Sequence, residues 1–211
     1  MTQPIPLLPP HAPGVRIGLF GGSFDPPHEG HALVSHLALT RLKLDRLWWI
    51  FSPGNPLKDA SELPSIDARI ASAKEIVRNP RVAFTGFEAE IAARYTCDTI
   101  DYLHAHCPGA RFVWIMGADN LLQFHLWRRW KEIARTTPIA VIDRPGATLK
   151  AANAKAAVYF KSARLPEKEA ALLAVTPPPA FIYLHGPRIE RSSTQLRESY
   201  LRSNNGSIQR L

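Results

Sequence analysis

Short, nearly unbroken apolar runs punctuate the chain, and between most of them lie longer stretches whose apolar residues recur at helical spacing. Residues 15–20 (VRIGLF) read as a buried strand. Residues 30–42 follow with Leu33, Val34, Leu37, Ala38 and Leu42 along one face of a helix. Further strands are expected over 46–52 (RLWWIFS), 81–86 (RVAFTG), 110–117 (ARFVWIMG), 138–143 (PIAVID) and 181–186 (FIYLHG). Helices are expected over 65–78, with a serine available as N-cap, over 96–106 and over 192–202. Residues 118–135 read as one or two short helices, and the alanine- and proline-rich stretch 145–180 as one or two more without fixed bounds. Trp48 and Trp49 read as core.

Strands alternating with helices predict an α/β chain, Rossmann-like and doubly wound, with a mainly parallel sheet covered by helices on both faces. Ligands of such sheets sit beyond the carboxyl ends of the strands, where the strand order reverses. No internal repeat is visible. The length of 211 residues and a composition 45% hydrophobic and 21% charged suit a single domain over 15–211. Residues 1–14 are apolar but broken by prolines, and no basic residue precedes the apolar part. They do not read as a signal peptide, and a flexible, loosely attached leader is expected.

The net charge of +8 implies affinity for anions. The basic residues are spread along the chain apart from HLWRRWK (125–131), so the stripe of a nucleic-acid binder is missing. Nucleic acid and membrane are not expected partners, since no apolar run reaches the ~18 residues of a span. A homo-oligomer is compatible with the sequence. Cys97 and Cys107 form neither a CxxC pair nor a disulfide framework, which points to a reducing cytoplasm. His104, His106 and Cys107 have no matching second cluster and read as a helix end, not a zinc site.

The candidate chemistry begins where the first strand ends, at FGGSFDPPHEGH (20–31). Gly21 and Gly22 would let the backbone turn sharply and approach a ligand. Pro26 and Pro27 suit helix entry, placing His28 and His31 on one face of the first turn, where free N–H groups and the helix dipole attract anions. Gly30 leaves that end uncrowded. Neither GxxxxGK[ST] nor GxGxxG is present. Two histidines alone would be ordinary N-caps or satisfied core groups; the strand–glycine turn–helix setting makes phosphate chemistry the stronger reading. A second such site is ERSSTQLRES (190–199), where Ser192 and Gln195 match a capping box. Ser193 and Thr194 add first-turn donors, and Arg197 adds a charged fork one turn on.

GGSFDPPHEGH resembles the (H/T)xGH signature of the nucleotidylyltransferase superfamily, and RSSTQLR its later phosphate motif. SPGNPLK (52–58), RYTCDT (94–99), MGADNLLQFHLW (116–127) and IDRPG (142–146) are similar, in order, to the landmarks of the bacterial nicotinate-nucleotide adenylyltransferase family. The resemblance covers residues 15 to 202, with two departures: Arg191 stands where an apolar residue is usual, and Leu196 where an isoleucine is. It implies adenylyl transfer from ATP to nicotinate mononucleotide in NAD synthesis, with Mg²⁺ as cofactor. His28, His31 and Arg197 would be catalytic. Gly21, Gly22, Ser23, Phe24, Gly117, Asp119, Ser192, Ser193 and Thr194 would complete the ATP site. Lys58, Thr96, Trp127 and Arg144 would hold the mononucleotide, Trp127 by stacking on its pyridine ring. Asp119 as a helix N-cap and Trp127 as core stay open beside these roles. So do sister transferases acting on nicotinamide mononucleotide or phosphopantetheine, and a non-catalytic nucleotide- or RNA-binding protein.

Overall fold

The computed structural model describes residues 8–54, 63–142 and 153–186. Six strands form one sheet: β1 (Arg16–Gly22), β2 (Arg46–Phe51), β3 (Val82–Thr85), β4 (Arg111–Gly117), β5 (Ile139–Ile142) and β6 (Phe181–Leu184). Their order is β3-β2-β1-β4-β5-β6, and every neighbouring pair is parallel. A parallel sheet is covered on both faces, so its strands read as nearly continuous apolar runs. In β2, Leu47, Trp48, Trp49, Ile50 and Phe51 are all fully buried. Alternate residues serve opposite faces, Trp48 and Ile50 one core and Leu47, Trp49 and Phe51 the other.

The second of those cores packs α1 (Glu29–Arg41), α2 (Ile66–Ile76) and a 3-10 segment, Glu167–Val175, against the sheet. The first packs α3 (Phe87–Glu90), α4 (Thr96–His106), α5 (Ala118–Phe124), α6 (Trp130–Thr136) and α7 (Lys155–Tyr159). The chain thus winds outward from β1 to β3, returns to β4 beside β1, and winds the other way to β6. The carboxyl ends of β1 and β4 flank the point of reversal, where open α/β sheets bind ligands.

Three expectations change at the first strand end. β1 continues through Gly21 and Gly22, so the glycines do not make the turn. The left-handed residue of the bend is Phe24, at φ 47°. Gly21 is small for a different reason: a Cβ there would lie 2.6 Å from Cη2 of Trp114 on the neighbouring strand. Pro26 and Pro27 precede the helix instead of opening it, because α1 starts at Glu29 with His28 as its N-cap.

Elsewhere α4 spans its predicted residues, Ser65 caps α2 by accepting from the N–H of Ala68, and 118–135 resolves into α5 and α6. The single turn α3 was not foreseen. Within 145–180 lie α7, the 3-10 segment Lys161–Ala163 and the longer one at 167–175. The helix predicted over 192–202 lies outside the described residues. The part of the leader that is described docks on the body: Pro9 is buried, Leu8 packs on the first core, and the His11 ring meets the Trp48 ring edge-on at 6.1 Å. His104 bonds to Oγ1 of Thr137, and His106 to the carbonyl of Tyr102. Among the described residues no helix is long and apolar enough to cross a membrane.

Candidate active site

In a parallel sheet each following helix runs back along the strands, so helix N-termini collect at the carboxyl edge. The start of α1 lies beyond β1 there. Its N-cap, His28, accepts from the N–H of Gly30 at Nδ1, 3.1 Å away. Its own backbone N–H donates to Nδ1 of His31 at 3.2 Å, closing a capping box built from two imidazoles. A ring nitrogen that accepts carries no proton, so in each neutral ring the hydrogen sits on Nε2. The two rings lie 3.8 Å apart at 33°. Both histidines are buried, at 4% and 8% exposure, far below what a surface cap would show.

An aromatic wall fixes His31. The Phe24 ring meets it edge-on at 5.1 Å, the Trp49 ring at 5.8 Å, and Phe24 itself stacks on Trp49 at 4.5 Å. Below, Ser35 donates to the His31 carbonyl at 2.9 Å and accepts from Trp49 Nε1 at 2.8 Å. Phe24 is therefore core by its ring, and only its backbone is left to serve a ligand. Gly22 and Ser23 are half-buried at the strand end.

Gly117 closes β4 and is the N-cap of α5, so the N-cap role weighed for Asp119 belongs to Gly117. Asp119 is exposed in the first turn of α5, without a capping bond. Thr96 is the half-buried first residue of α4, whose start is held by Asp98 accepting from the N–H groups of Arg94 and Tyr95. Trp127, between α5 and α6, is half-buried with its ring edge-on to Trp114 at 6.3 Å and Phe124 at 5.3 Å. Arg128 lies over the Tyr95 ring at 5.0 Å, and Arg129 pairs with Asp101 of α4. These contacts bring the neighbours of Thr96 and Trp127 together on the face opposite His28 and His31. Lys58, Arg144, Ser192, Ser193, Thr194 and Arg197 lie outside the described residues.

Two groups at this edge were missed in the sequence. Arg69 of α2 is only 3% exposed and donates to three backbone carbonyls, of Ser23, Ser52 and Pro64. Burial pushes its pKa down, and the nearby Asp25 charge partly offsets this. The signal was present, since Arg69 occupies the apolar face of α2 with Ile66, Ile70 and Ala73. Glu88 in α3 is buried and accepts from the Thr99 hydroxyl at 2.5 Å; desolvation lifts its carboxyl to about 7.

A family model described as cytidylyltransferase-like matches residues 19–199. A Methylorubrum extorquens protein named "Probable nicotinate-nucleotide adenylyltransferase" is 56% identical over 183 residues, 87% of this chain and 99% of the relative. A Brucella suis protein of the same name is 51% identical over 188 residues, 89% of this chain and 97% of its own. The solved structure of Plasmodium falciparum nicotinic acid mononucleotide adenylyltransferase complexed with APC is 15% identical, covers 87% of this chain and 83% of that one, and superposes with a TM-score of 0.64. That likeness shows the fold. With a family model spanning most of its length, and relatives that share half its residues along nearly all of theirs, the chain belongs to the cytidylyltransferase-like family and to the nicotinate-nucleotide adenylyltransferases.

Proposed function

We propose that this chain transfers the adenylyl group of ATP to nicotinate mononucleotide, giving nicotinate adenine dinucleotide and pyrophosphate. The identity to the Methylorubrum extorquens relative over almost its whole length carries the reading. The locked pair His28 and His31 at the β1–β4 switch point supplies chemistry that suits it.

A phosphate oxygen of the mononucleotide attacks the α-phosphorus of ATP. The bond from that phosphorus to the α,β-bridging oxygen breaks, and its electron pair leaves with pyrophosphate. Both reactants are anions, so the protein's task is placement and charge stabilisation. The Nδ1 atoms of both histidines are occupied by backbone N–H groups, which leaves Nε2–H as the donor each ring offers. Donors preset in this way need no reorganisation as charge builds on the phosphate oxygens. The backbone at Gly22, Ser23 and Phe24 lines the bend, Gly117 and Asp119 sit toward the adenosine, and Thr96 and Trp127 toward the mononucleotide. Lys58 and Arg144 join the acceptor side, and Ser192, Ser193, Thr194 and Arg197 the triphosphate tail.

Mg²⁺ carried on ATP would neutralise the leaving phosphates, an ion that commonly takes only one or two protein carboxylates beside the substrate phosphates. The two buried, unpaired thiols suit a reducing cytoplasm.

The test is pyrophosphate release from ATP with nicotinate mononucleotide, nicotinamide mononucleotide or phosphopantetheine supplied singly. The nicotinate acceptor gives the highest kcat/KM, and chelating Mg²⁺ stops turnover. No pyrophosphate with any acceptor, or faster turnover of another, overturns the assignment.

A further inference from the structure

Three segments meet at the carboxyl edge beside β1: the bend after β1, the end of β2 and the entry to α2; the ladder between the first two ends where the Ser52 N–H donates to the Gly22 carbonyl at 3.0 Å. Beyond that ladder, one side chain reaches all three. The Arg69 guanidinium donates from Nη1 to the Ser23 carbonyl at 2.5 Å, from Nη2 to the Ser52 carbonyl at 3.0 Å and from Nε to the Pro64 carbonyl at 2.9 Å. The Phe51 ring lies 5.9 Å from its central carbon.

Burying a guanidinium is costly, and a well-packed apolar residue in its place is often neutral or stabilising. The neighbours on this face of α2, Ile66, Ile70 and Ala73, show that apolar packing is available here. What an apolar residue could not do is hold three carbonyls at once, which the planar fork does with a fixed geometry.

The Ser23 contact has a directional consequence. A trans peptide sets its C=O and N–H in opposite directions. With the Ser23 carbonyl drawn toward α2, the N–H of Phe24 is turned away from α2. The left-handed φ of 47° at Phe24 then re-aims the chain toward His28, the N-cap of α1. A small rotation of the Ser23 peptide would move a backbone donor and the approach to both imidazoles.

We propose that Arg69 is a positioning residue for phosphoryl chemistry: by fixing the Ser23 and Ser52 carbonyls it sets the bend that presents the Phe24 N–H, His28 and His31 to the nucleotide. This rests on the adenylyltransferase reading above. Arg69 touches no substrate; its effect passes through the backbone.

The test compares wild type, Arg69→Met and Arg69→Lys with ATP and nicotinate mononucleotide, at a temperature where thermal melts show each protein folded. Misplacing catalytic groups by a fraction of an ångström lowers turnover more than binding, so Arg69→Met loses about tenfold or more in kcat. Its KM for nicotinate mononucleotide stays within about twofold. Arg69→Lys keeps the charge and can hold one carbonyl, so it recovers part of the loss; it also supplies the measurement should the methionine variant not fold. Folded variants with wild-type kcat, or a loss appearing only in KM, overturn the proposal. A wild-type protein inactive with these substrates would overturn the underlying function instead, which keeps the two failures apart.

Discussion

The backbone N–H of His28 donates to Nδ1 of His31 at 3.2 Å, so the imidazole proposed to face the nucleotide also holds the start of the helix. The two duties can be separated. Glutamine at the third helical position can accept the N-cap N–H as histidine does here, but offers no ring N–H. His31→Gln therefore melts close to wild type while kcat falls by ~10²-fold, the range for losing one transition-state donor. His31→Ala shows the same kinetic loss plus about 1 kcal/mol of lost capping. Steady-state kinetics with urea denaturation check both, and a His31→Gln enzyme with normal kcat would remove the imidazole from the chemistry.

Gly21 and Trp114 form a steric pair across β1 and β4. An added methyl would sit 2.6 Å from Cη2 and 3.1 Å from Cζ2 of the indole, and the ring is itself buried. Gly21→Ala should cost about 1–3 kcal/mol by overpacking. Phenylalanine does not reach as far as the indole's six-membered ring. In a Trp114→Phe background the same change should therefore cost less, with a coupling of at least about 0.5 kcal/mol in a double-mutant cycle. Additive effects would mean that the contact does not explain the glycine.

Glu88 makes stability depend on pH. Its folded pKa of about 7 exceeds the ordinary 4.5, so the folded state holds a proton that the unfolded state has released. The contribution is full below about pH 4.5, falls as pH rises toward 7, and is gone above it. Glu88→Gln keeps an oxygen for the Thr99 hydroxyl and has no proton to lose. Its stability relative to wild type should climb across that window by on the order of 3 kcal/mol. Urea midpoints of the two proteins at pH 5 to 8, compared at each pH, read this out; a constant difference would show that Glu88 titrates normally.

The six strands were legible because a parallel sheet leaves no polar face to break the apolar runs, as in β2. Thr96–His106 was legible because Ile100 and Leu103 fall at helical spacing with Asp98 reaching back to the start. The site was legible as a motif but not as geometry. The sequence allowed the histidines as N-caps, but the reciprocal box, in which each imidazole accepts a backbone N–H, shows only in the fold. The meaning of Gly21 depends on Trp114, which only strand pairing brings alongside. Arg69 was readable as a cation on an apolar helix face, but the carbonyls it holds come from three segments that only the folded edge unites. α3 is one turn long and gives no period to read.

Trp127 decides between two uses of one ring. It is half-buried, edge-on to Trp114 and Phe124, and joined to the start of α4 through Arg128 and Tyr95, so one side packs while another remains open. Leucine preserves apolar contact with the two aromatic neighbours but cannot stack on a pyridine ring. An aromatic pair adds about 0.5–1.5 kcal/mol beyond its buried area. Trp127→Leu should then raise KM for nicotinate mononucleotide roughly three- to tenfold, leaving KM for ATP within about twofold and kcat little changed. A variant whose only defect is a lower melting temperature would assign Trp127 to the core and leave the acceptor ring to be held by other residues.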